Sequence, residues 1–343
     1  MKILFIGLGS AGQRHLRNIK RILGVNVEFI AYRVRKYARL FDDNLNVVEG
    51  QNVKEAYHIK EYDDLDQALQ ERPDIAFISN PNSMHVEAAI RVAREGIDIF
   101  LEKPVSDSLR GLDELADLVK KKKIILYVGY QMRLHPCLIR LKQDMDEKRI
   151  GDIVSVDCQM GELISQMHKY EDYRDMNEAK KVTGGGVVLC QIHELDYLCW
   201  IFGMPIEVYS VGGKYSDLEI EVEDGATTIC KYVKEGIPFP IIIHQDFLQT
   251  PPVRKCKVIG TLGQIEVDLL QNQYVVYGKQ TIREEKFVNF SRNDMFIEEV
   301  KCFLEYVKTR KQDTLTLQEG MKSLKIALAI KESMDTGKVV QID

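Results

Sequence analysis

Lys2-Ile-Leu-Phe-Ile-Gly-Leu-Gly-Ser-Ala-Gly12 decides how the rest of the chain is read. Residues 2–6 are a run of branched and aromatic apolar side chains, the composition of a strand buried on both faces. Gly7, Gly9 and Gly12 fall in G-x-G-x-x-G spacing, and residues 13–23 carry the pattern of a helix. That order has a physical meaning. The first glycine permits a tight turn, the second lets the backbone approach a pyrophosphate, and the third lets helix and strand pack closely. The helix N-terminus then offers unpaired N–H groups to phosphate oxygens. Gly7, Gly9, Ser10, Ala11 and Gly12 are therefore read as a dinucleotide-binding loop. A secretory signal peptide is the rival reading, and the glycines in the second half of the apolar run argue against it. So does the basic helix that follows, with Leu16, Ile19, Ile22 and Leu23 on its apolar positions.

At 343 residues the chain has room for two domains, and 45% hydrophobic with 29% charged residues is the composition of a soluble globular protein. The net charge of -5 and the dispersed Lys and Arg argue against a nucleic-acid partner. The one tight basic run, 120–123, falls at the end of an expected helix, where cations complement the dipole. No apolar run is long enough to span a bilayer, so no membrane segment is expected. Cysteines 137, 158, 190, 199, 230, 256 and 302 contain no C-x-x-C pair and read as reduced thiols of a cytoplasmic protein. No metal site is expected.

Residues 25–32 read as a second strand ending in Ala31-Tyr-Arg-Val-Arg35, with no acid at its tip. An acid there would hold the ribose hydroxyls of NAD, whereas arginine suits the 2′-phosphate of NADP. Arg33, helped by Arg35, favours NADP(H), with NAD(H) as the alternative. A short helix over 65–69, strands at 74–79 and 97–101, and a helix over about 84–94 continue the alternation. This predicts a parallel, doubly wound sheet with ligands at the carboxyl ends of its strands. Asn80, Glu102 and Lys103 lie at those ends, and His85 opens the helix after Asn80. A lysine in such a place can stabilise an alkoxide or exchange its proton.

The set GLGSAG, SNPNSMH (79–85), EKP (102–104) and GYQMRLHP (129–136) resembles the Gfo/Idh/MocA family of glucose-fructose oxidoreductase-like dehydrogenases. HKYEDYR (168–174) and GGGVVLCQIHELDYLCWIFG (184–203) resemble a branch associated with surface-polysaccharide and nonulosonic-acid sugars. The resemblance implies an N-terminal Rossmann domain, 1–128, and a C-terminal α+β domain, 129–343. The latter carries a large, mostly antiparallel sheet that often forms a dimer or tetramer interface, and the active site lies between the domains. It also implies that Lys103, commonly followed by a cis peptide to Pro104, bridges nicotinamide and the reacting hydroxyl, and that His193 accepts the hydroxyl proton. Gln131 joins Asn80, His85 and Glu102 as expected cofactor contacts. Cys190 stands where many relatives carry an acid of the proton relay, leaving that part to Asp196 or Glu194 or unfilled.

From the residues themselves, 184–186 form a loop open to close backbone approach, and 187–202 read as one long helix with His193, Asp196 and Trp200 along a face. Tyr170, Tyr173 and Arg174 lie in a polar, aromatic loop suited to sugar hydroxyls or phosphate, and Arg133 with Arg174 are candidates for an anionic group. Runs at 208–212, 226–233, 239–247, 255–260 and 264–269 alternate as strands do, and 294–309 and 317–334 read as closing helices stopped by Gly337. The expected activity is hydride transfer between a nicotinamide cofactor and a secondary hydroxyl of a sugar or nucleotide-linked sugar. The alternatives are a cyclitol or free-sugar dehydrogenase, and a non-catalytic NAD(P)-binding sensor of the same fold.

Overall fold

A computed structural model describes residues 1–34, 39–168, 170–279 and 281–342. Arg35 lies outside the described residues. The chain forms two compact units. The first comprises 1–130, 169–171 and 292–321, and the second 131–168, 172–291 and 322–343. The chain leaves its first unit after residue 130, where the sequence reading drew a boundary at 128/129, and returns to it over 292–321.

The first unit is built on six parallel strands: β1 (Lys2–Ile6), β2 (Glu28–Tyr32), β3 (Lys60–Tyr62), β4 (Ile75–Ile78), β5 (Asp98–Glu102) and β6 (Leu126–Gly129). Their order is β3-β2-β1-β4-β5-β6, so strand order reverses between β1 and β4. This is the doubly wound arrangement expected, with its ligand crevice at the carboxyl ends beside that reversal. In-register pairing lines up Phe5, Phe77, Phe100 and Tyr127 across four strands. Their rings stack at 5.3, 4.8 and 5.3 Å, and all four are fully buried. The returning helix Arg292–Thr309 sets Phe303 edge-on against Phe77 and Phe100, at 5.5 and 5.7 Å.

Helix Ser10–Leu23 departs from the expected apolar face. It buries Gln13, His15, Arg17 and Asn18 along with Leu16 and Ile19, while Ile22 and Leu23 stay partly exposed. Each buried polar group has a partner. Gln13 donates to the Leu8 and Arg39 carbonyls, Arg17 meets Asp43 and the Phe41 carbonyl, and Asn18 exchanges amide bonds with Asn293. Burial without such bonds would cost several kcal/mol per group.

The second unit is a nine-stranded sheet of β7 (Ile153–Gly161), β8 (Glu207–Gly213), β9 (Gly225–Lys234), β10 (Ile237–Asp246), β11 (Val253–Gly260), β12 (Gly263–Asp268), β13 (Gln273–Gly278), β14 (Ile282–Lys286) and β15 (Val340–Gln341). The order is β14-β13-β12-β11-β7-β10-β9-β8-β15, and only the β7–β10 pair is parallel. Buried Val208, Cys230, Ile241, Ile243, Cys256 and Val258 alternate with exposed Tyr209, Val211, Ile229, Ile242 and Ile259, so one sheet face is core and the other is open. β7, β13, β14 and β15 escaped the sequence reading; β14, Ile-Arg-Glu-Glu-Lys, has no apolar alternation to detect.

Candidate active site

In the first unit, Gly7 has φ of +90°, and a Cβ there would meet the Ser79 carbonyl oxygen at 2.7 Å. A Cβ on Gly12 would meet the Gly7 oxygen at 2.6 Å, which is why helix and strand can sit so close. A Cβ on Gly9 would meet nothing within 4 Å. That open ground lies at the start of helix Ser10–Leu23, whose N-cap Gly9 lends no side-chain cap and which has no acid in its first turn. An anion is what such an end lacks. The residues present therefore fit a pyrophosphate.

The same carboxyl edge of the sheet carries Ser79, Asn80, Glu102 and Lys103. Lys103 is partly exposed at the end of β5, followed by a cis bond to Pro104. Behind it, His15 Nε2 lies 2.6 Å from Glu102 Oε1, while the other Glu102 oxygen accepts the Lys103 N–H at 3.2 Å. Burial pushes the Glu102 carboxyl up, but the His15 bond and the nearby cations outweigh it and hold the group below its ordinary range. Glu102, expected at the cofactor, thus turns its carboxylate to His15. His15 Nδ1 lies 3.9 Å from Glu299.

His85, expected at the cofactor, meets a backbone carbonyl at each ring nitrogen. It is 1% exposed, with Nδ1 2.7 Å from the Pro104 carbonyl oxygen and Nε2 2.9 Å from that of Asn80. Burial drives its pKa down despite both carbonyls, so the neutral ring donates to one of them and ties the ends of β4 and β5 together. Asn80 donates to the Met84 carbonyl at 3.3 Å. Arg33 is 5% exposed, with its guanidinium 2.5 Å from Glu61 Oε1, an acid on the neighbouring strand that the sequence reading missed. Tyr170 belongs to this unit too, its ring 4.4 Å from that of Phe41.

The second unit holds His193. The helix expected over 187–202 breaks into Val187–Cys190 and His193–Phe202. Gln191 causes the break: its carbonyl accepts from Gln245 at 3.0 Å and its side chain donates to the Asp246 carbonyl at 2.9 Å. His193 therefore begins a new helix. Its Nε2 lies 3.2 Å from Gln131 Nε2, so an amide N–H points at an unprotonated ring nitrogen, the state in which an imidazole accepts a proton. Gln131, expected at the cofactor, is packed against the candidate base.

Two residues on, Arg133 grips Asp196 through two 2.8 Å bonds, and Ser323 donates to the same carboxylate at 3.0 Å. Arg133 is 5% exposed and Asp196 fully buried. Arg133 was a candidate for an anionic substrate group and Asp196 for the relay acid, and here they bind each other. Glu194, the other stand-in for the missing relay acid, is fully buried against Arg254 at 2.7 Å. Cys190 ends the short helix, partly exposed.

The glycine loop before that helix is packed on its own chain. A Cβ on Gly185 would strike the carbonyl oxygens of Glu178, Asn177 and Lys180 at 2.6 to 2.8 Å, and one on Gly186, at φ +107°, would enter the Glu223 carboxylate. Arg174 is half exposed and clamped by Asp172 and Glu219, with Tyr173 5.5 Å beneath it, so its charge is already countered.

The family model described as "Oxidoreductase family, NAD-binding Rossmann fold" matches residues 1–130, and its companion, "Oxidoreductase family, C-terminal alpha/beta domain", matches 142–342. The myo-inositol 2-dehydrogenase of Thermotoga maritima is 25% identical over 358 aligned residues, covering 100% of this chain and 99% of the relative. Among solved structures, levoglucosan dehydrogenase in complex with NADH and levoglucosan aligns with a TM-score of 0.82 at 17% identity, covering 100% and 99%. The WlbA dehydrogenase from Bordetella pertussis, in complex with NADH and UDP-GlcNAcA, aligns at 0.79 and 19% identity, over 100% and 99%. With its glycine loop, strand-end lysine and two matched domains, this chain belongs to the Gfo/Idh/MocA oxidoreductase family.

Proposed function

We propose that the chain is an NAD(P)-dependent dehydrogenase or reductase acting on a secondary hydroxyl or ketone of a sugar, nucleotide-linked sugar or cyclitol. One observation carries the reading: Lys103 and the Gly7–Gly12 loop share the carboxyl edge of one parallel sheet, beside its reversal of strand order. The polyhydroxylated ligands named for the relatives, myo-inositol, levoglucosan and UDP-GlcNAcA, support the substrate class.

The nicotinamide, when bound, exchanges hydride with the substrate carbon. The protein's part is to hold the cofactor and to handle the proton. Gly7, Gly9, Ser10, Ala11 and Gly12 would hold the pyrophosphate, with Asn80 near it. Lys103 is assigned to stabilise the developing alkoxide and His193 to take the hydroxyl proton on Nε2, displacing the Gln131 amide as it does so. Arg133 and Asp196 fix the start of the His193 helix. Tyr170, Tyr173, Arg174 and Cys190 remain candidates for the substrate. The open sheet face, where Tyr209, Ile229 and Ile242 stand side by side, is assigned to a second copy of the chain in a dimer or tetramer. Seven cysteines that form no disulfide support a cytoplasmic setting.

The test is nicotinamide absorbance with NAD+ and NADP+ against inositols, hexoses and UDP- and CMP-linked sugars. Lys103→Ala should cut kcat at least about a hundredfold while dinucleotide still binds. Retained turnover would remove Lys103 from its role. A wild-type protein that binds dinucleotide tightly yet turns over nothing in the panel would instead favour the non-catalytic sensor.

A further inference from the structure

We propose that Glu61 selects the coenzyme: it engages the Arg33 guanidinium and supplies, from the neighbouring strand, the carboxylate that the tip of β2 lacks, so that the chain prefers NAD(H) to NADP(H). The inference rests on the dinucleotide reading above.

In sequence the strand tip, Ala31-Tyr-Arg33, offers only a cation. In space the parallel register sets Ala31 beside Glu61 and Tyr32 beside Tyr62, and the Arg33 N–H donates to the Tyr62 carbonyl at 3.0 Å. Glu61 thus stands opposite Ala31, two residues before Arg33 along the neighbouring strand, and the Arg33 guanidinium reaches back to it. Arg33 is 5% exposed and the Glu61 side chain 16% exposed, with 2.5 Å between Nη1 and Oε1. Lys54 Nζ stands 3.9 Å from the second Glu61 oxygen.

Charge balance decides what this corner accepts. The Arg33–Glu61 pair sums to zero, with the exposed Lys54 ammonium set on the far Glu61 oxygen, so the Arg33 charge is already countered where a 2′-phosphate would meet it. A phosphate bound to the same guanidinium would also sit beside the Glu61 carboxylate, and like charges at that range oppose binding. Drawing the arginine away instead would give up the short Arg33–Glu61 ion pair and leave the Glu61 carboxylate, 16% exposed, with only Lys54 at 3.9 Å. Ribose hydroxyls meet neither obstacle. They are donors, and a carboxylate is an acceptor-only group suited to receive them. The strand-tip arginine alone argued for NADP(H), and the partner it meets in the fold reverses that preference.

The experiment is calorimetric titration of NAD+, NADP+, 5′-AMP and adenosine 2′,5′-bisphosphate into the wild type, Glu61→Gln, and Glu61→Gln combined with Arg33→Ala. The wild type should bind NAD+ at least about tenfold more tightly than NADP+, the scale set by like-charge repulsion. Glu61→Gln should tighten NADP+ and the bisphosphate about tenfold with no matching gain for NAD+ or 5′-AMP, and Arg33→Ala should erase the gain. If the wild type binds NADP+ as well as NAD+, the proposal is overturned, whether or not the variant folds. An unchanged ratio in a folded Glu61→Gln overturns it too. Failure of both dinucleotides to bind the wild type would remove the dinucleotide reading itself, and Glu61's role with it.

Discussion

Replacing Asp196 by alanine removes the carboxylate that meets a 5%-exposed guanidinium through two 2.8 Å bonds and accepts a third bond from Ser323. Breaking a buried ion pair from one side costs about 3–5 kcal/mol, because the remaining charge stays desolvated. For a unit of this size that lowers Tm on the order of 10 °C. The loss reaches chemistry as well as stability. Arg133 and Gln131 lie on one turn of 3-10 helix, Gln131–Leu134, and meet Asp196 and His193 on one turn of the facing helix. Loosening one clamp shifts the other, and a misplacement of about 1 Å at a proton acceptor costs on the order of a hundredfold in kcat. Urea unfolding followed by circular dichroism measures the first effect. The decisive comparison is Arg133→Met with Asp196→Leu, which removes both charges. That double variant should recover most of the stability, less about 0.5–1 kcal/mol for the guanidinium over Trp200. If Asp196→Ala costs under about 1 kcal/mol, or the double variant is no better than the single, the buried-pair argument is wrong.

Glu299 is fully buried, its carboxyl oxygens make no hydrogen bond among the described residues, and burial together with the Glu102 charge holds its pKa well above the usual 4.5. The folded carboxyl keeps a proton that the unfolded chain releases, so its contribution is full below that pH and declines as pH rises toward the folded value. Glu299→Gln should therefore be near neutral at about pH 4 and increasingly stabilising, relative to wild type, toward neutral pH; a difference independent of pH in denaturant titrations would contradict this. On the open face of the second sheet, Ile229 is 51% exposed between Tyr209 and Ile242. Ile229→Asp should lower the mass seen by light scattering to that of one chain while leaving the circular dichroism spectrum intact, and a wild type that already runs as a single chain would refute the assigned contact.

What the sequence discloses depends on whether partners are near in the chain. The glycine loop, β1, β4, β5 and the closing helices are legible because a run of apolar residues and its flanking glycines determine each locally. The roles of polar side chains are not. His15 looks like one more residue on a basic helix until Glu102 arrives 87 residues later to bind it. Arg33 reads as a phosphate ligand because Glu61 is not beside it in sequence, and Asp196 reads as a relay acid because Arg133 is not. In each case a long-range ion pair takes up a group that local reasoning left available. The break before His193 was hidden for the same reason, since Gln245, on another strand, takes the Gln191 carbonyl.

The helix Arg292–Thr309 that sets Phe303 against the stacked rings of β4 and β5 has a consequence for synthesis. The six strands leave the ribosome early, but the segment that covers one face of their aromatic row follows some 160 residues later. At ordinary elongation rates that is a delay of roughly 10–30 s, during which Phe77 and Phe100 face water or whatever else will cover them. A nascent chain that has emerged only to residue 130 therefore lacks the helix that covers this aromatic row in the fold. A gene cut at residue 130 would encode a sheet without its lid rather than a portable nucleotide-binding module.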